Sequence, residues 1–382
     1  MFYTILPPAM QALYDHLKQH PIVYITRDIE RALGLPLDTT GYSIISNKTD
    51  LVKLPEDRTH IVLIDSDRPL DTWQLLKHQE TRNKIQTISN IQYPISVLVF
   101  KNTVQIERIC AEQGWKLLNP SAGLSNRVEE KVSQVEWLGE LAKYLPPHAV
   151  GACKDIAWNG EPFVLQFNRS HTGIGTFLIE SGEQLEKLIQ KIPNRPVRTL
   201  EYVDGPIFTV NTVVTSAGIL VGNISYQITG LAPFTRNRFA TIGNDWGFAN
   251  KLLKDKQKEQ IRRIATDIGE KLRTDGWKGL FGIDIILEEK TGGLYLIEVN
   301  ARQPASVVYE SQLQKKSEIK NLKSEISTFE AHLASILDLD LSYHSLIPIA
   351  NGSQVFDLKN NKVYRFDHSV ITEHGKIAHR FP

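Results

Sequence analysis

Cysteine is almost missing from this chain: Cys110 and Cys153 are the only two among 382 residues. Two thiols in ordinary contexts exclude a disulfide framework and a cysteine-held zinc centre. An excess of charge of one sign is missing too, with 44 Lys and Arg against 43 Asp and Glu. No net field exists to grip nucleic acid or an anionic membrane, so any anion site has to be local. There is no run of about 18 apolar residues, and the start "MFYTILPPAMQALYDHL" lacks both a basic opening and a long apolar core. A soluble cytoplasmic protein is therefore expected, without membrane or nucleic-acid partners. The chain also lacks a G-x-S-x-G elbow, a Cys/His pairing in a recognisable context and a GKS or GKT phosphate loop. Covalent catalysis is unsupported, which leaves positioning and charge to carry any chemistry.

What is present divides along the chain. The length suits two or three domains. Over residues 1–120, "PIVYIT", "HIVLIDS" and "PISVLVF" read as short buried strands. "PPAMQALYDHLKQ", "DTWQLLKHQETRNKI" and "TVQIERICAEQG" read as helices beside them, an alternation that predicts a small parallel α/β sheet. "WKLLNPSAGLSN" marks a boundary near residue 120. A helix is expected over "RVEEKVSQVEWLGELAKYL", where Val128, Val132, Val135, Leu138 and Leu141 fall at helical spacing. Residues 150–230 turn β-rich. Residues 230–250, with Arg236, Arg238, Phe234, Phe239 and Trp246, read as a long loop facing a substrate, and residues 341–382 as a short β appendage.

Two stretches carry chemistry. "GLFGIDIILEEKTGGLYLIEVNAR" reads as a hairpin about a Lys-Thr-Gly-Gly turn, which sets Asp284 roughly opposite Glu298. Glu298, Asn300 and Arg302 take alternate positions and so share one face, away from Ile297 and Val299. Two carboxylates and an amide oxygen without His or Cys suit Mg2+ or Mn2+. Upstream, the strand Phe163 to Phe167 runs into "NRSHTGIGT", where Gly173 and Gly175 let backbone N–H groups approach an anion; His171 reads as a solvated loop residue.

The order of these features, a glycine-rich flap, "LEYVDGPIFTV", "GIDIIL" and "LIEVNAR", resembles the ATP-grasp superfamily, the fold of D-alanine:D-alanine ligase and biotin carboxylase. The resemblance spans about residues 125–310. It implies an α/β plus α+β protein: a parallel α/β domain over 1–120, then an ATP-grasp domain over 121–340 with lobes of about 121–200 and 201–340. It further implies ATP and Mg2+ (or Mn2+) as cofactors, with Asp284, Glu298 and Asn300 on the metal. Arg302 falls beside the transferring phosphoryl group and the substrate carboxyl, and Lys131 on a phosphate. Glu201, Tyr202 and Val203 fall at the adenine edge. Gln166 stands where relatives carry a phosphate-binding lysine, and Ile207 where many carry an acid for the ribose.

The implied reaction is phosphorylation of a small carboxylic acid or amino acid and capture of the acyl phosphate by an amine, with release of ADP and phosphate. Arg236 and Arg238 are candidate contacts to the small-molecule carboxylate and amine substrates. A homodimer is left open, as are a kinase or carboxylase of the same superfamily and a nucleotide-binding module without turnover.

Overall fold

The computed structural model describes residues 8–49, 54, 59–88, 95–169, 175–317, 324–357, 360, 362–372 and 376–377. Strands β1 (Ile22–Thr26), β2 (Tyr42–Asn47), β3 (Ile61–Ile64), β4 (Ser96–Val99) and β5 (Lys116–Leu117) form a parallel sheet in the order β3-β2-β1-β4-β5. Every residue of β1 and β2 is buried, as a central parallel strand covered on both faces requires. β2, "YSIISN", is not among the strands expected above, because its serines and asparagine mask the apolar signal. The order reverses between β1 and β4, so the crevice at their carboxyl ends is the switch point where such sheets bind ligands.

β6 (His148–Ala152), β7 (Phe163–Phe167), β8 (Thr176–Ile179) and β9 (Pro196–Glu201) make an antiparallel sheet in the order β6-β9-β7-β8, backed by the helix Gly182–Lys191. β10 (Ile207–Val214), β11 (Ile219–Thr229), β12 (Thr241–Asp245), β13 (Gly279–Leu287) and β14 (Leu294–Asn300) belong to a seven-stranded sheet in which each pairing is antiparallel. β15 (Glu325–Ile326) and β16 (Ser345–Leu346) pair separately, and β17 (Ser353–Asp357) and β18 (Lys362–Phe366) extend the large sheet beyond β12. The main core lies between that sheet and the helix Asp255–Thr274, whose buried Ile261, Ile264, Ile268 and Leu272 follow helical spacing. A second core joins Tyr24 and Leu98 of the parallel sheet to Phe329 and Leu333 of the helix Thr328–Ile336 and to Val213 and Leu280 of the large sheet. Among the described residues, no helix is long and apolar enough to cross a membrane.

Three expectations are corrected. The helix expected over 127–145 is three pieces: Ala122–Glu129, Lys131–Leu138 and a 3-10 turn Gly139–Tyr144, with an extended Glu130 (ψ 128°) at the first break. The segment expected to be a boundary loop already turns helical at Ala122, where Ser121 accepts a capping bond from Leu124 N. Of the 230–250 loop, Phe234 and Trp246 are core residues, and residues 241–252 are strand and helix, so only Arg236, Arg238 and their neighbours stay exposed.

Candidate active site

The hairpin β13–β14 brings Asp284 directly opposite Glu298. Immediately afterwards the register slips, with Ile285 facing Leu296, so Ile297 is an extra residue on β14. This bulge reverses the side-chain alternation. Leu294 and Leu296 point into the core before it, Val299 and Ala301 after it, and Glu298 and Asn300 turn to the opposite face. Leu296 thus does not share the face of Glu298, as uninterrupted alternation would require.

On that face Asp284 is held by its neighbours: Thr209 Oγ1 of β10 donates to Oδ1 at 2.7 Å and Asn300 Nδ2 to Oδ2 at 3.3 Å. Burial, then the negative charge of Glu298, pushes its pKa up to about 6. Burial acts on Glu298 in the same sense, but the charges of Lys131, Arg302 and Arg198 outweigh it and hold its pKa below the usual range. Lys131 opens its helix with an Nζ 2.8 Å from Glu298 Oε1. Glu298 is the close anionic partner of this buried ammonium, which leaves other N–H groups of Lys131 unspent. Burial lowers its pKa, with Glu298 opposing. Asn168, just past β7, fixes the start of this helix: its Oδ1 accepts Val132 N at 2.9 Å, its carbonyl accepts Lys131 N at 3.0 Å, and its Nδ2 donates to Glu130 at 2.7 Å.

Arg302 donates through one nitrogen to Asn300 Oδ1 at 2.6 Å and to Glu129 Oε1 at 2.7 Å. Glu129 also accepts from Lys101, which lies just beyond the carboxyl end of β4 at the switch point. Burial would raise the Glu129 pKa, but the two cations hold it below the usual range. Arg31, beyond β1, donates to Ala305 O at 2.9 Å and lies 5.0 Å over Phe100, closing the parallel sheet against the loop after Arg302.

The residues nominated from sequence do not all converge. Asp284, Glu298, Asn300, Arg302 and Lys131 are joined by the contacts above. Gln166 joins them indirectly: its carboxamide oxygen accepts Arg198 Nε at 3.0 Å and Nη2 at 2.6 Å. Glu201 pairs with Phe163 in register, one step from Val164–Leu200, so its side chain belongs to the opposite face of the sheet from Gln166 and Arg198. Glu201 and Tyr202 line a cavity of about 750 Å3 that runs past Phe163, Thr199, Glu288 and Lys290 and touches neither Asp284 nor Glu298. The acidic face is nonetheless the better candidate, because its charged groups converge. Val203 is half-buried, and Tyr202 donates to Asp204 at 3.3 Å and accepts from Arg238 at 3.4 Å. Gly205 shapes the turn that follows: φ is +155° and a Cβ would fall 1.9 Å from Leu287 O. Arg236 is exposed and Ile207 half-buried. Gly175 takes φ +87° and its carbonyl accepts Phe167 N; Gly173 and His171 lie outside the described residues.

Glu129, Lys101, Thr209 and Arg198 join this face without being among the residues expected above. Arg198 is fully buried in β9 and donates also to Gln134 Oε1 and to the carbonyl of the bulged Ile297. Its sequence signal was a lone arginine in the apolar run "PVRTL".

A divalent ion fits this face in part. Asp284 and Glu298 are hard oxygen donors facing each other, but Asn300 presents nitrogen to Asp284, and its oxygen would reach a metal only after the amide turned over. Among the described residues, no group of three or more His, Cys, Asp or Glu gathers.

The ATP-grasp domain family matches residues 128–306. No curated protein matches the chain at the sequence level. Among solved structures, the chain is similar to N5-carboxyaminoimidazole synthase from Aspergillus clavatus in complex with ADP and 5-aminoimidazole ribonucleotide, at 15% identity and a TM-score of 0.60 over 88% of this chain and 82% of that one. It is similar to an L-amino acid ligase from Bacillus licheniformis at 15% identity and a TM-score of 0.60, over 88% and 79%. N5-carboxyaminoimidazole ribonucleotide synthetase from Thermotoga maritima gives 16% and 0.57 over 88% and 80%. Likenesses this remote concern the fold. Lys131, Arg198, Asp284, Glu298 and Arg302 all fall inside residues 128–306, the span that matches the ATP-grasp domain.

Proposed function

We propose that this chain is an ATP-dependent ligase that joins a small carboxylic acid or amino acid to an amine through an acyl phosphate. The observation that carries the reading is the buried polar face itself: Asp284 against Glu298, the buried ammonium of Lys131 on Glu298 with donors to spare, and Arg302 beside them. Two adjacent carboxylates suit a divalent cation, and a buried ammonium with unused donors suits an anion; a metal-bound polyphosphate satisfies both. Mg2+ bound by Asp284 and Glu298 would neutralise charge on the terminal phosphates.

The chain's own groups then divide the work. Lys131 binds phosphate, Gln166 donates from β7, the glycine stretch that ends at Gly175 supplies backbone N–H groups to the phosphates, and the backbone of Glu201, Tyr202 and Val203 meets the adenine edge. Arg302 orients the substrate carboxylate with its planar fork. A carboxylate oxygen bonds to the γ-phosphorus as the bond to the ADP oxygen breaks, and the amine then displaces phosphate from the acyl carbon. Catalysis of this type rests on alignment and charge, in keeping with the lack of a nucleophile. In this reading residues 1–120 close the substrate side through Lys101 and Arg31, residues 121–340 are the nucleotide-binding unit, 341–382 complete its sheet, and Arg236 and Arg238 meet substrate from the exposed loop.

The test is ADP release from Mg-ATP across a panel of amino acids and small carboxylic acids, with hydroxylamine as a trap. A hydroxamate with stoichiometric ADP supports the ligase. Binding of Mg-ADP without release under any acid leaves a nucleotide-binding module. Absence of Mg-ADP binding sinks the reading altogether.

A further inference from the structure

Arg198 is a guanidinium with no exposed surface and no carboxylate in hydrogen-bond contact. Its donors go to neutral oxygens: twice to Gln166 Oε1, once to Gln134 Oε1 and once to Ile297 O. Gln134 is itself buried and spends its amide nitrogen on Val128 O at 2.7 Å. Burying a charge without an acid beside it is expensive. The field of Arg198 reaches the acidic face all the same: it helps hold Glu298 ionised and acts against the charge of Lys131. Of the two carboxamides that hold Arg198, Gln134 is fully buried and Gln166 keeps about 9% of its surface accessible. With its oxygen engaged twice, the one function that carboxamide can offer a ligand is its N–H2, and bonding a cation to the oxygen of an amide strengthens that donor.

We propose that Arg198 is a positioning residue for the nucleotide phosphates, delivering its buried positive charge to them through the Gln166 carboxamide. The proposal rests on the ATP reading above and adds the route by which β7 supplies positive potential without a charged side chain of its own. The pairing has a consequence for substitution. A lysine at 166 would set an ammonium beside a buried guanidinium, so Gln166→Lys alone weakens phosphate binding, whereas Gln166→Lys with Arg198→Met replaces a relayed charge by a direct one.

Mg-ADP affinity by titration calorimetry decides the matter, with thermal denaturation confirming that each variant is folded. Arg198→Met and Gln166→Lys are each expected to lose about tenfold or more in affinity, roughly the difference between a charge-assisted and a neutral hydrogen bond. The double variant is expected to return to within about threefold of the wild type. Should Arg198→Met not fold, Arg198→Lys keeps a charge but cannot grip the Gln166 oxygen twice, and it is expected to weaken Mg-ADP by a similar factor. Folded Arg198 variants that bind Mg-ADP like the wild type, or a Gln166→Lys effect that is the same with and without Arg198, overturn the proposal and leave Arg198 a structural tie. A wild-type protein that fails to bind Mg-ADP overturns the ATP reading and this proposal together.

Discussion

At the residue scale, the acidic face is built at the expense of stability. Asp284 is buried opposite a second carboxylate, and its neutral partners Thr209 and Asn300 do not offset that repulsion. Asp284→Asn keeps the shape and removes one charge, so it should stabilise the ligand-free protein by about 1 to 3 kcal/mol near neutral pH while abolishing the Mg2+ dependence of ADP binding. Thermal denaturation with and without Mg-ADP reads both effects, and an unchanged Mg2+ dependence would remove Asp284 from the metal. Arg302 makes a different case. One nitrogen serves both Glu129 and Asn300, a duty a lysine can partly take over, so Arg302→Lys should fold normally. A point charge on a flexible stem does not reproduce the fork around a carboxylate, and kcat should fall by about 10²-fold with ADP affinity little changed. Near-normal turnover in that variant would leave Arg302 a structural tie to Glu129.

At the element scale, the bulge at Ile297 adds one residue to β14. Removing Ile297 closes the bulge, and strict alternation from Leu296 then leaves Glu298 opposite Asp284 and keeps Glu298 and Asn300 off the core face of Val299 and Ala301. The deletion does remove the Ile297 carbonyl that accepts Arg198 Nη2, so the variant should stay folded with its stability lowered by about 1 to 3 kcal/mol. Thermal denaturation checks this, and an insoluble deletion variant, or one that melts like the wild type, would contradict it. The break at Glu130 has a similar character. Val128 to Leu141 follow one helical period, but Asn168 caps the second helix and binds Glu130, and these contacts from β7 start that helix at Lys131.

On the scale of the whole molecule, a buried acid far along the chain ties the layers together. Glu310, in the helix Val307–Lys316 that follows the site, accepts from Asn211 of β10, from the N–H and side chain of Asn223 of β11 and from Thr328. Burial pushes its pKa up to about 7 despite those four bonds. The folded state therefore holds a proton that the unfolded chain releases near pH 4.3. This contribution to stability is present in full below about pH 4 and is lost as pH rises through about 7, on the order of 3 kcal/mol in all. Glu310→Gln should flatten that loss, melting like the wild type near pH 5 and above it near pH 8. Parallel pH profiles for the two proteins would contradict the assignment.

The chain's own pattern determined a good deal: the parallel sheet from short apolar runs, the hairpin from its Gly-Gly turn, and the meeting of Asp284 with Glu298 from the length of that turn. These are local matters, set by period and turn chemistry over a few tens of residues. Tertiary structure alone decided the rest. Arg198 lies 32 positions from Gln166 and 99 from Ile297, Lys101 reaches the helical Glu129 from beyond β4, and the slip at Ile297 appears only when β14 is laid against β13. A lone buried cation is invisible in sequence because its partners are neutral oxygens scattered over distant elements, and only the packing that excludes water from them makes its charge count.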